Sequence, residues 1–485
     1  MKSNILSTIL FSILVSISTI AQTITWSSEI TVANGSTYGV VRPRIAVTAG
    51  NIPVVMWGGG TGTQPLLVAR WNGSGFNTPM VVTGAYDPFI DTWAGADIAA
   101  RGNTVYVVFK VQPEMSNNIY CVKSSDGGVT WGMPVQVDIG TGPYDRFPSI
   151  AVTSSGNPAV MFMTFDSTFT NAGYAITNST NGGASFPLPV NASLLGGSNV
   201  CDCCPGYMEI NGSNQVAAWR RNNSDIRDMW AGVSTNGGMN FTTGIDVDNT
   251  NWLLNSCPSS GPDPFLFNDS LTTVFMSGAG GSNRIYLNTS NIITQQAGFT
   301  QLVNGSVPAT AIQNYPFISG SSDTMAVVYQ QAVGGNIDVY YSLSLNGASG
   351  LLNNSAVLTN STAGNQKNPH IAYSANKFHF VWVDDVTGNV MYKYGTITPS
   401  GISENEITPL QVYPNPSNGM VNINLSQLIG NNATLNVYDV SGRIVESKNV
   451  SGMKNIILEK QTPGIYFIRI QENGEKLYTT KVVFY

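Results

Sequence analysis

The sequence is poor in charge. Asp, Glu, Lys and Arg make up 10 % of its 485 residues, while the apolar share is 42 %; soluble domains usually carry about 25 % charged residues. Glu and Lys are strong helix formers, so a chain with few of them is not rich in helices. The net charge is −6, and basic residues never occur in runs longer than two. This argues against a nucleic-acid-binding protein, because such a protein needs a basic face.

Histidine and cysteine are also scarce, with two and five copies. Numbers this low exclude a His-rich metal protein and a small scaffold that depends on many disulfides. We interpret His370 and His379 as packing residues on strands. The chain also lacks the G-x-S-x-G, H-E-x-x-H and Walker motifs, so it carries no signature of the corresponding hydrolases, metalloproteases or nucleotide-binding proteins.

Long apolar runs are confined to the N terminus. Met1–Asn4 carries one positive side chain, Ile5–Ile20 is apolar apart from Ser and Thr, and Ala21 ends a small-x-Ala cleavage site. This order predicts a secretory signal peptide over residues 1–21, with a membrane anchor as the alternative. No later stretch approaches 18 apolar residues. We therefore expect a soluble mature protein, exported through the Sec route into an oxidising compartment.

An internal repeat organises the next part of the chain. The octapeptide Ser-Ser-Asp-Gly-Gly-Val-Thr-Trp begins at Ser124, and similar segments begin 55 residues apart at Ser179 and Ser234. A strand–turn–strand pattern recurs at nearly the same spacing, and a period of this length predicts a propeller or a solenoid. Its seven copies begin at residues 43, 97, 148, 207, 264, 316 and 369.

These repeats predict an all-β fold, with a β-propeller of seven four-stranded blades over residues 22–396. The seventh copy ends after its third strand, near Val390, and residues 24–32 have the pattern of a fourth strand. Pairing the two ends in one blade would close the ring and remove its exposed edges. A six-bladed propeller is the alternative.

The octapeptides resemble the Asp-boxes (BNR repeats) of the sialidase-like β-propeller superfamily, and the resemblance spans residues 23–396. It implies that each box is a structural turn on the outer side of a blade, away from the ligand face. Asp126 can accept hydrogen bonds from its own turn, Gly127 and Gly128 tolerate positive φ, and Trp131 can pack between blades. The residues expected to have this structural role are Ser124, Asp126, Gly127, Gly128, Trp131, Ser179, Asn181, Gly182, Gly183, Phe186, Ser234, Asn236, Gly237, Gly238 and Phe241.

The composition changes at a Pro/Ser/Glu-rich linker over residues 397–409, and residues 410–485 alternate as strands around turns. This tail resembles the C-terminal sorting domain of the type IX secretion system of Bacteroidetes. The resemblance implies a small β-sandwich, the secretion machinery as a partner, and a protein that is secreted or held at the outer-membrane surface. It rests on Tyr413-Pro414-Asn415-Pro416, Asp439, Ser441-Gly442-Arg443, Gly464-Ile465-Tyr466 and Lys481-Val482-Val483.

Four of the five cysteines fall on neighbouring loops of the predicted fourth and fifth blades. They are Cys201, Cys203 and Cys204 in one loop and Cys257 in the next. The secretory route favours a disulfide between Cys257 and one of the other three, with a second pair as an option. A site that holds Zn or Cu(I) through thiolates, or a redox-active thiol, are the alternatives. We expect Cys121 to be a buried free thiol.

An Arg-rich segment is predicted beside these cysteines, on the face where propellers bind ligands. The pattern CDCCP, then an Arg-rich loop with RDMW, then an Asp-box resembles a group of secreted sialidase-like proteins. Ligand-binding candidates are Arg221, Arg227, Asp228 and Asp202, since arginines bind carboxylates and sugars by paired hydrogen bonds. A loop held together by salt bridges is the alternative interpretation. Other polar residues expected on this face are Asp87, Asp91, Asp97, Asp145, Arg146, Asp263, Arg284, Asp384 and Asp385.

A catalytic sialidase would need three arginines, an acid, and a tyrosine nucleophile activated by a glutamate. The resemblance offers Arg44, Asp91, Glu209, Arg284 and Tyr341 (or its neighbour Tyr340). The sequence departs from the enzymes, because Arg44-Ile45-Ala46 replaces R-I-P and no propeller arginine follows Arg284.

The function that the sequence predicts is therefore binding of a carbohydrate or glycoprotein by a secreted or cell-surface propeller. An exo-sialidase-like glycoside hydrolase and a non-catalytic adhesive scaffold are the alternatives. We expect a monomer with no cofactor, no metal and no nucleic-acid partner.

Overall fold

The computed structural model describes residues 23–60, 64–142, 144–195, 199–398, 408–425, 433–459, 462–472 and 476–485. The predicted signal peptide and most of the predicted linker lie outside these ranges. The chain divides into two compact units, of which one is Ile24–Thr398 and the other contains the residues from Pro399 to Tyr485. With 53 % strand and 2 % helix, the fold is all-β, as predicted.

The larger unit consists of seven antiparallel sheets, here numbered I to VII. It begins with β1 (Thr23–Trp26), β2 (Ile30–Asn34) and the one-turn helix α1 (Gly35–Tyr38). Sheet I contains β3 (Val41–Thr48), β4 (Ile52–Gly58), β5 (Leu66–Arg70) and β6 (Met80–Val81). Sheet II contains β7 (Asp97–Arg101), β8 (Thr104–Lys110), β9 (Ile119–Ser124) and β10 (Val135–Gln136). Sheet III contains β11 (Arg146–Val152), β12 (Pro158–Thr164), β13 (Gly173–Asn178) and β14 (Val190–Asn191).

Sheets IV to VI repeat this order. Sheet IV contains β15 (Tyr207–Asn211), β16 (Asn214–Arg220), β17 (Met229–Ser234) and β18 (Thr243–Asp246). Sheet V contains β19 (Asp263–Phe267), β20 (Ser270–Ser277), β21 (Arg284–Asn291), β22 (Gln296–Ala297) and β23 (Gln301–Leu302). Sheet VI contains β24 (Ile312–Ser321), β25 (Thr324–Val333), β26 (Asn336–Ser344) and β27 (Ser355–Val357), with a 3₁₀ turn at Ala348–Leu351.

Sheet VII joins the two ends of this unit. Its strands β28 (Gln366–Ser374), β29 (Lys377–Asp384) and β30 (Asn389–Thr398) come from the end of the unit, and both β1 and β2 pair with β30. Ile30 lies opposite Tyr392 in this pairing. The prediction that the first residues of the mature chain complete the last sheet is correct.

The first strands of the seven sheets form a closed ring. Each of β3, β7, β11, β15, β19, β24 and β28 contacts the next, and β28 contacts β3 again. Residues from all seven strands line a central cavity of about 330 Å³. The larger unit is therefore a β-propeller.

Polar side chains at one level of this ring fasten neighbouring first strands. Asp97 Oδ2 accepts from Ile150 N (3.2 Å), and Ser149 Oγ accepts from Met208 N (3.4 Å). Further round the ring, Asp263 Oδ2 accepts from Ile318 N (2.7 Å) and His370 Nδ1 from Ile45 N (3.3 Å). The residues at this level, one per sheet, are Arg44, Asp97, Ser149, Tyr207, Asp263, Phe317 and His370.

The other three junctions lack this bond for chemical reasons. Arg44 and Phe317 have no side-chain acceptor, and the strand facing Tyr207 carries Pro264, which has no N–H group to donate. Ile98 N, which faces Arg44, donates instead to Asp97 Oδ1 of its own strand (3.0 Å).

The octapeptides form turns after the third strands of sheets II, III and IV. In the first of them Gly128 N donates to Ser124 Oγ (2.8 Å), and Thr130 N donates to Asp126 Oδ1 (2.9 Å). Gly127 and Gly128 have φ of 76° and 91°, a conformation that disfavours other residues. The pKa of Asp126 is lowered, chiefly by its hydrogen bond from the Thr130 hydroxyl.

The aromatic residue that ends each turn packs between two sheets. Trp131 packs against residues of sheets I and II, Phe186 lies in the core between sheets II and III, and Phe241 lies in the core between sheets III and IV. These contacts fix each turn against the hydrophobic core between two sheets.

The C-terminal unit has one hydrophobic core shared by two sheets. Its strands are β31 (Thr408–Pro409), β32 (Gln411–Tyr413), β33 (Val421–Asn424), β34 (Ala433–Tyr438), β35 (Ile444–Asn449), β36 (Asn455–Leu458), β37 (Gly464–Glu472) and β38 (Lys476–Phe484). The five-stranded sheet has the order β31-β38-β37-β34-β35, and the three-stranded sheet has the order β32-β33-β36.

Both ends of the predicted linker belong to strands. β30 continues to Thr398, because Ile397 is buried and its N–H donates to Asn376 O (2.8 Å). At the other end, β31 pairs in parallel with β38. Four residues of the predicted linker, 397, 398, 408 and 409, are therefore strand residues, and 399–407 lie outside the described residues.

The ring bonds make a prediction about stability. Asp97→Ala removes the acceptor of two buried N–H groups, so we expect the free energy of unfolding to fall by about 2 kcal/mol. The measurement is the midpoint of denaturant unfolding of the full chain, with Asp269→Ala on an exposed turn as the control. Equal midpoints for the two variants would show that the ring bond contributes nothing.

Candidate functional site

The loops that lead into the first strands surround one end of the central channel, here called the mouth. Trp93 and Tyr315 are half-buried at its edge, Thr92 is exposed, and Asn368 is buried below. These residues line a depression with about 10 Å³ of free volume, enough for about one water molecule. The depression at the mouth is therefore small.

Side chains that cross the ring fill the channel below the mouth. The Arg44 guanidinium lies over the Phe317 ring (4.4 Å to its centroid), and Phe317 meets Tyr207 edge-on at 5.3 Å. Arg42 Nη2 donates to Tyr207 Oη (3.0 Å). Because these residues belong to sheets I, IV and VI, which are not neighbours, their contacts close the channel. We call Arg42, Arg44, Tyr207 and Phe317 the plug.

The two plug arginines hydrogen-bond other protein groups through their Nη atoms, while both Nε atoms are buried without a partner. Arg42 Nη1 donates to Ala96 O, and Arg44 Nη1 donates to Pro43 O (3.0 Å). Burial, with a contribution from neighbouring Arg42, lowers the pKa of Arg44 to about 10. Arg44 thus hydrogen-bonds its own strand and packs on the Phe317 ring.

The structure does not assemble the other residues predicted for a sialidase. Arg284 donates to Asn283 O (3.0 Å) and to Pro308 O (3.1 Å) between sheets V and VI. Tyr341 packs edge-on against Trp26 at 4.9 Å, and its neighbour Tyr340 stacks on Tyr329. Asp91 does lie near the mouth, where it accepts from Thr92 N (2.6 Å).

Glu209 lies on the other side of the plug, where it lines the central cavity with Asp97 and Asp263. Burial raises the pKa of Glu209 to about 7. Burial also raises the pKa of Asp263 well above its usual range, although Ile318 N and Arg44 oppose this. Arg44 and Glu209 therefore face different compartments and do not form one catalytic group.

The predicted junction of cysteines and arginines is present between sheets IV and V. Cys201 N donates to Arg220 O (2.9 Å) and Asn222 N donates to Asn199 O (2.7 Å), which joins the cysteine loop to the Arg-rich loop. Cys203 is bonded to Cys257, with Cα atoms 6.2 Å apart, and Cys201 is bonded to Cys204. Cys121 is free and buried, and burial raises its pKa.

The arginine side chains at this junction bind other groups of the protein. Arg221 Nη2 is 2.7 Å from Asp228 Oδ2, and the Arg221 guanidinium lies 4.7 Å from the centre of the Trp230 ring. Arg227 is buried and donates to Leu254 O (3.0 Å). These contacts fit the alternative interpretation, a loop held by its own ion pairs, better than direct ligand binding. Asp202 alone of the four candidates is exposed.

Arg220 is the structural centre of the junction. It is fully buried and donates to Ser260 O (2.9 Å), Arg227 O (2.9 Å) and Met276 O (2.7 Å). Burial lowers the pKa of Arg220 to about 9, while Asp248 opposes the shift. These three hydrogen bonds connect sheets IV and V through backbone carbonyl groups. The sequence pattern does not reveal such bonds, because every residue has a carbonyl group.

Among the described residues, one cluster of side chains has ligand atoms close enough together to hold a metal ion, and it consists of Cys201, Cys203 and Cys204. All three are in disulfides, so a thiolate metal site would first require reduction. His379 is buried and His370 is half-buried. His379 hydrogen-bonds Tyr392 Oη (2.7 Å) and Asn51 Oδ1 (2.9 Å), and burial lowers its pKa to about 3.

Residues 411–484 match the family model described as the secretion system C-terminal sorting domain. The C-terminal unit is thus a type IX sorting domain, and it assigns the protein to export to the cell surface or extracellular space. In the described part of the chain, no helix has the length and hydrophobicity needed to span a membrane.

Several solved structures are similar to this chain. A polysaccharide lyase of family PL25, an ulvan lyase, has a TM-score of 0.49 and 10 % identity over 75 % of this chain and 95 % of its own. A protein of unknown function from Dyadobacter fermentans has a TM-score of 0.47 and 12 % identity, covering 77 % and 99 %. The Trypanosoma rangeli sialidase has a TM-score of 0.42 and 10 % identity, covering 91 % and 84 %. Curated proteins give no significant match.

The raised pKa of Glu209 predicts a pH effect on stability. Below pH 4.5 the carboxyl is protonated in the folded and the unfolded chain, whereas between pH 4.5 and about 7 only the unfolded chain ionises readily. Glu209 therefore makes folding less favourable as pH rises through this window. We expect Glu209→Gln to gain stability relative to wild type from pH 4.5 to 7, measured by denaturant unfolding. A difference that stays constant with pH would contradict the burial of this carboxyl.

Proposed function

We propose that this protein is a secreted, seven-bladed β-propeller that binds a carbohydrate or glycoprotein at the mouth, with each of the seven sheets as one blade. Its C-terminal unit would be a β-sandwich that directs export through the type IX system. The observation that carries the binding proposal is the pair of half-buried aromatic side chains, Trp93 and Tyr315, that line a small depression.

The chemistry of this surface suits a sugar. Aromatic faces pack against the apolar face of a sugar ring, and nearby polar groups fix its orientation. Here exposed Thr92 and half-buried Asp91 lie beside Trp93, and they provide a hydroxyl and a carboxylate that hydrogen-bond each other (3.1 Å). Asn368 Nδ2 donates to Thr92 O (2.8 Å), so this turn is anchored to β28, the first strand of sheet VII. The turn is held in place before any ligand arrives, which lowers the entropic cost of binding.

The same geometry favours binding over hydrolysis. Pockets that enclose a ligand usually have several hundred Å³ of volume, whereas the depression at the mouth has about 10 Å³. A sialidase mechanism also needs its nucleophile and its acid at one sugar ring. Tyr341 packs against Trp26 and Glu209 lies beyond the plug, so neither reaches a ligand at the mouth.

The junction between sheets IV and V supports the mouth without contacting the ligand in this proposal. Pro205 and Ser260 line the depression. Pro205 directly follows Cys204, and Ser260 O accepts from Arg220 Nε (2.9 Å). The cysteines and arginines selected from the sequence would therefore keep this part of the rim in position.

Glycan binding is tested with the full mature chain on a glycan array, beside a fluorogenic sialoside assay. We expect binding without turnover, and Trp93→Ala should weaken it about tenfold, or about 1.4 kcal/mol. Phe299→Ala, at an exposed aromatic residue on sheet V, is the matched control and should bind like wild type. Turnover of the sialoside would indicate the hydrolase alternative. Absence of both signals would indicate the adhesive scaffold.

The sorting role is tested by deletion. A chain without residues 410–485 should still cross the inner membrane and accumulate in the periplasm, because the sorting domain is the address for the outer-membrane step. The measurement is the distribution of the propeller between periplasm and medium in a host with a type IX system. Export of the truncated chain at the wild-type level would contradict the assignment.

A further inference from the structure

The four cysteines between sheets IV and V are arranged as one exposed pair and one buried pair. Cys257 is exposed and Cys203 half-buried, and these two are bonded. Cys201 and Cys204 are completely buried and bonded to each other. The two disulfides are in contact, because Cys201 Sγ lies 3.6 Å from Cys203 Sγ.

We infer that this cluster is a thiol–disulfide exchange site, in which dithiol reductants act on the exposed disulfide and Cys203 passes the exchange to the buried one. The inference rests on the contact between Cys201 and Cys203 and on the difference in burial. It is independent of glycan binding at the mouth.

The exchange proceeds in two steps. First, a dithiol reduces the Cys203–Cys257 bond and is itself oxidised to a disulfide, which leaves thiols on both cysteines. Second, the Cys203 thiolate attacks Cys201 Sγ. The Cys201–Cys203 bond forms, the Cys201–Cys204 bond breaks, and Cys204 takes the proton that Cys203 gave up. The second step conserves the number of disulfides and leaves no net charge in the buried site.

The positively charged side chain of Arg227 lies beside Cys201, the cysteine that takes part in both disulfides of this exchange. Its Nη1 atom lies 3.4 Å from Cys201 Sγ, while Nε is held by Leu254 O (3.0 Å). A neighbouring guanidinium stabilises a thiolate. When a second dithiol attacks the Cys201–Cys203 bond at Cys203, Arg227 would stabilise Cys201 as the leaving thiolate.

The exchange would alter the mouth. In the oxidised protein the Cys203–Cys257 bond ties the loop before sheet IV to the loop before sheet V, across 54 residues of chain. After exchange the new bond lies within one loop, and this tie is lost. Ser259 and Ser260, which line the depression, follow Cys257 closely. The redox state of the surroundings would thus control one side of the rim.

The test uses the full mature chain with Cys257→Ser, which leaves Cys203 as a free thiol beside the buried disulfide. The chain is kept at pH 8 so that the isomers can equilibrate, and it is then denatured in the presence of N-ethylmaleimide, which blocks buried and exposed free thiols alike. The disulfides are next reduced, and the released thiols are labelled with iodoacetamide. Fragment ions then assign each label. We expect N-ethylmaleimide on both Cys203 and Cys204, since the two disulfide isomers interconvert. Label on Cys203 alone would overturn the proposal.

A second experiment measures how fast the buried disulfide is reduced when Cys203 is present and when it is absent. Wild type and the Cys203→Ser/Cys257→Ser double variant are treated with the same dithiothreitol, and reduction of Cys201–Cys204 is followed over time. We expect reduction to be at least tenfold slower in the double variant, because the buried pair has lost its route through Cys203. Equal rates would show direct access and would overturn the relay. In wild type with limiting dithiothreitol, label on Cys204 and Cys257 together would identify the exchanged form.

Discussion

The hydrogen bonds that tie each first strand to the next are the contacts on which the rest of the propeller depends. Four of the seven junctions have a side-chain acceptor at the same level, from Asp97, Ser149, Asp263 and His370. A buried N–H group without a partner costs about 1–3 kcal/mol, so these bonds select one registration of the sheets. That registration brings the residues at the three remaining junctions into the centre of the ring.

The plug follows from this arrangement. Arg44, Tyr207 and Phe317 occupy the ring positions whose side chains do not fasten the next strand, and they pack on one another across the channel instead. Their packing separates the carboxyl-lined cavity around Glu209 from the mouth. The surface that remains for a ligand is the mouth. It is small, it is anchored by hydrogen bonds, and Trp93 and Tyr315 lie at its edge. The fold thus explains why the site favours binding over a buried reaction.

Much of the fold could be predicted because it is repeated. The octapeptides repeat every 55 residues, and each copy needs the same Ser, Asp or Asn, glycine and aromatic residues for the same turn. The closing of sheet VII by β1 and β2 could also be predicted, since an unpaired strand at each end of the chain is costly. The cysteine junction could also be predicted from the sequence. Cysteines are rare in this chain, and four of them fall on adjacent loops, so few pairings are possible.

The site itself was much less accessible to sequence reasoning. Arg44, Arg221 and Arg227 have the residue type of a ligand-binding arginine, yet their roles depend on backbone carbonyls and ring faces that have no sequence signal. Trp93 was missed because it lies in an irregular loop before β7. Tyr315 was missed because it lies at a register shift inside β24, which the repeat pattern does not mark. Tyr341 was placed in a sialidase group by residue type alone, while its strand position directs it between sheets VI and VII.

The measurement that tests the account most directly is amide hydrogen exchange, resolved to single residues, on the intact protein. The amides of Ile45, Ile150, Met208 and Ile318 donate to side chains of the neighbouring sheet, so their exchange reports the closed ring itself. The account predicts that these four amides exchange only when the whole propeller unfolds, as slowly as the amides of buried second strands such as β8 and β12. Exchange as fast as that of exposed loop amides would show that the ring is open in solution, and it would contradict the origin proposed here for the plug and the mouth.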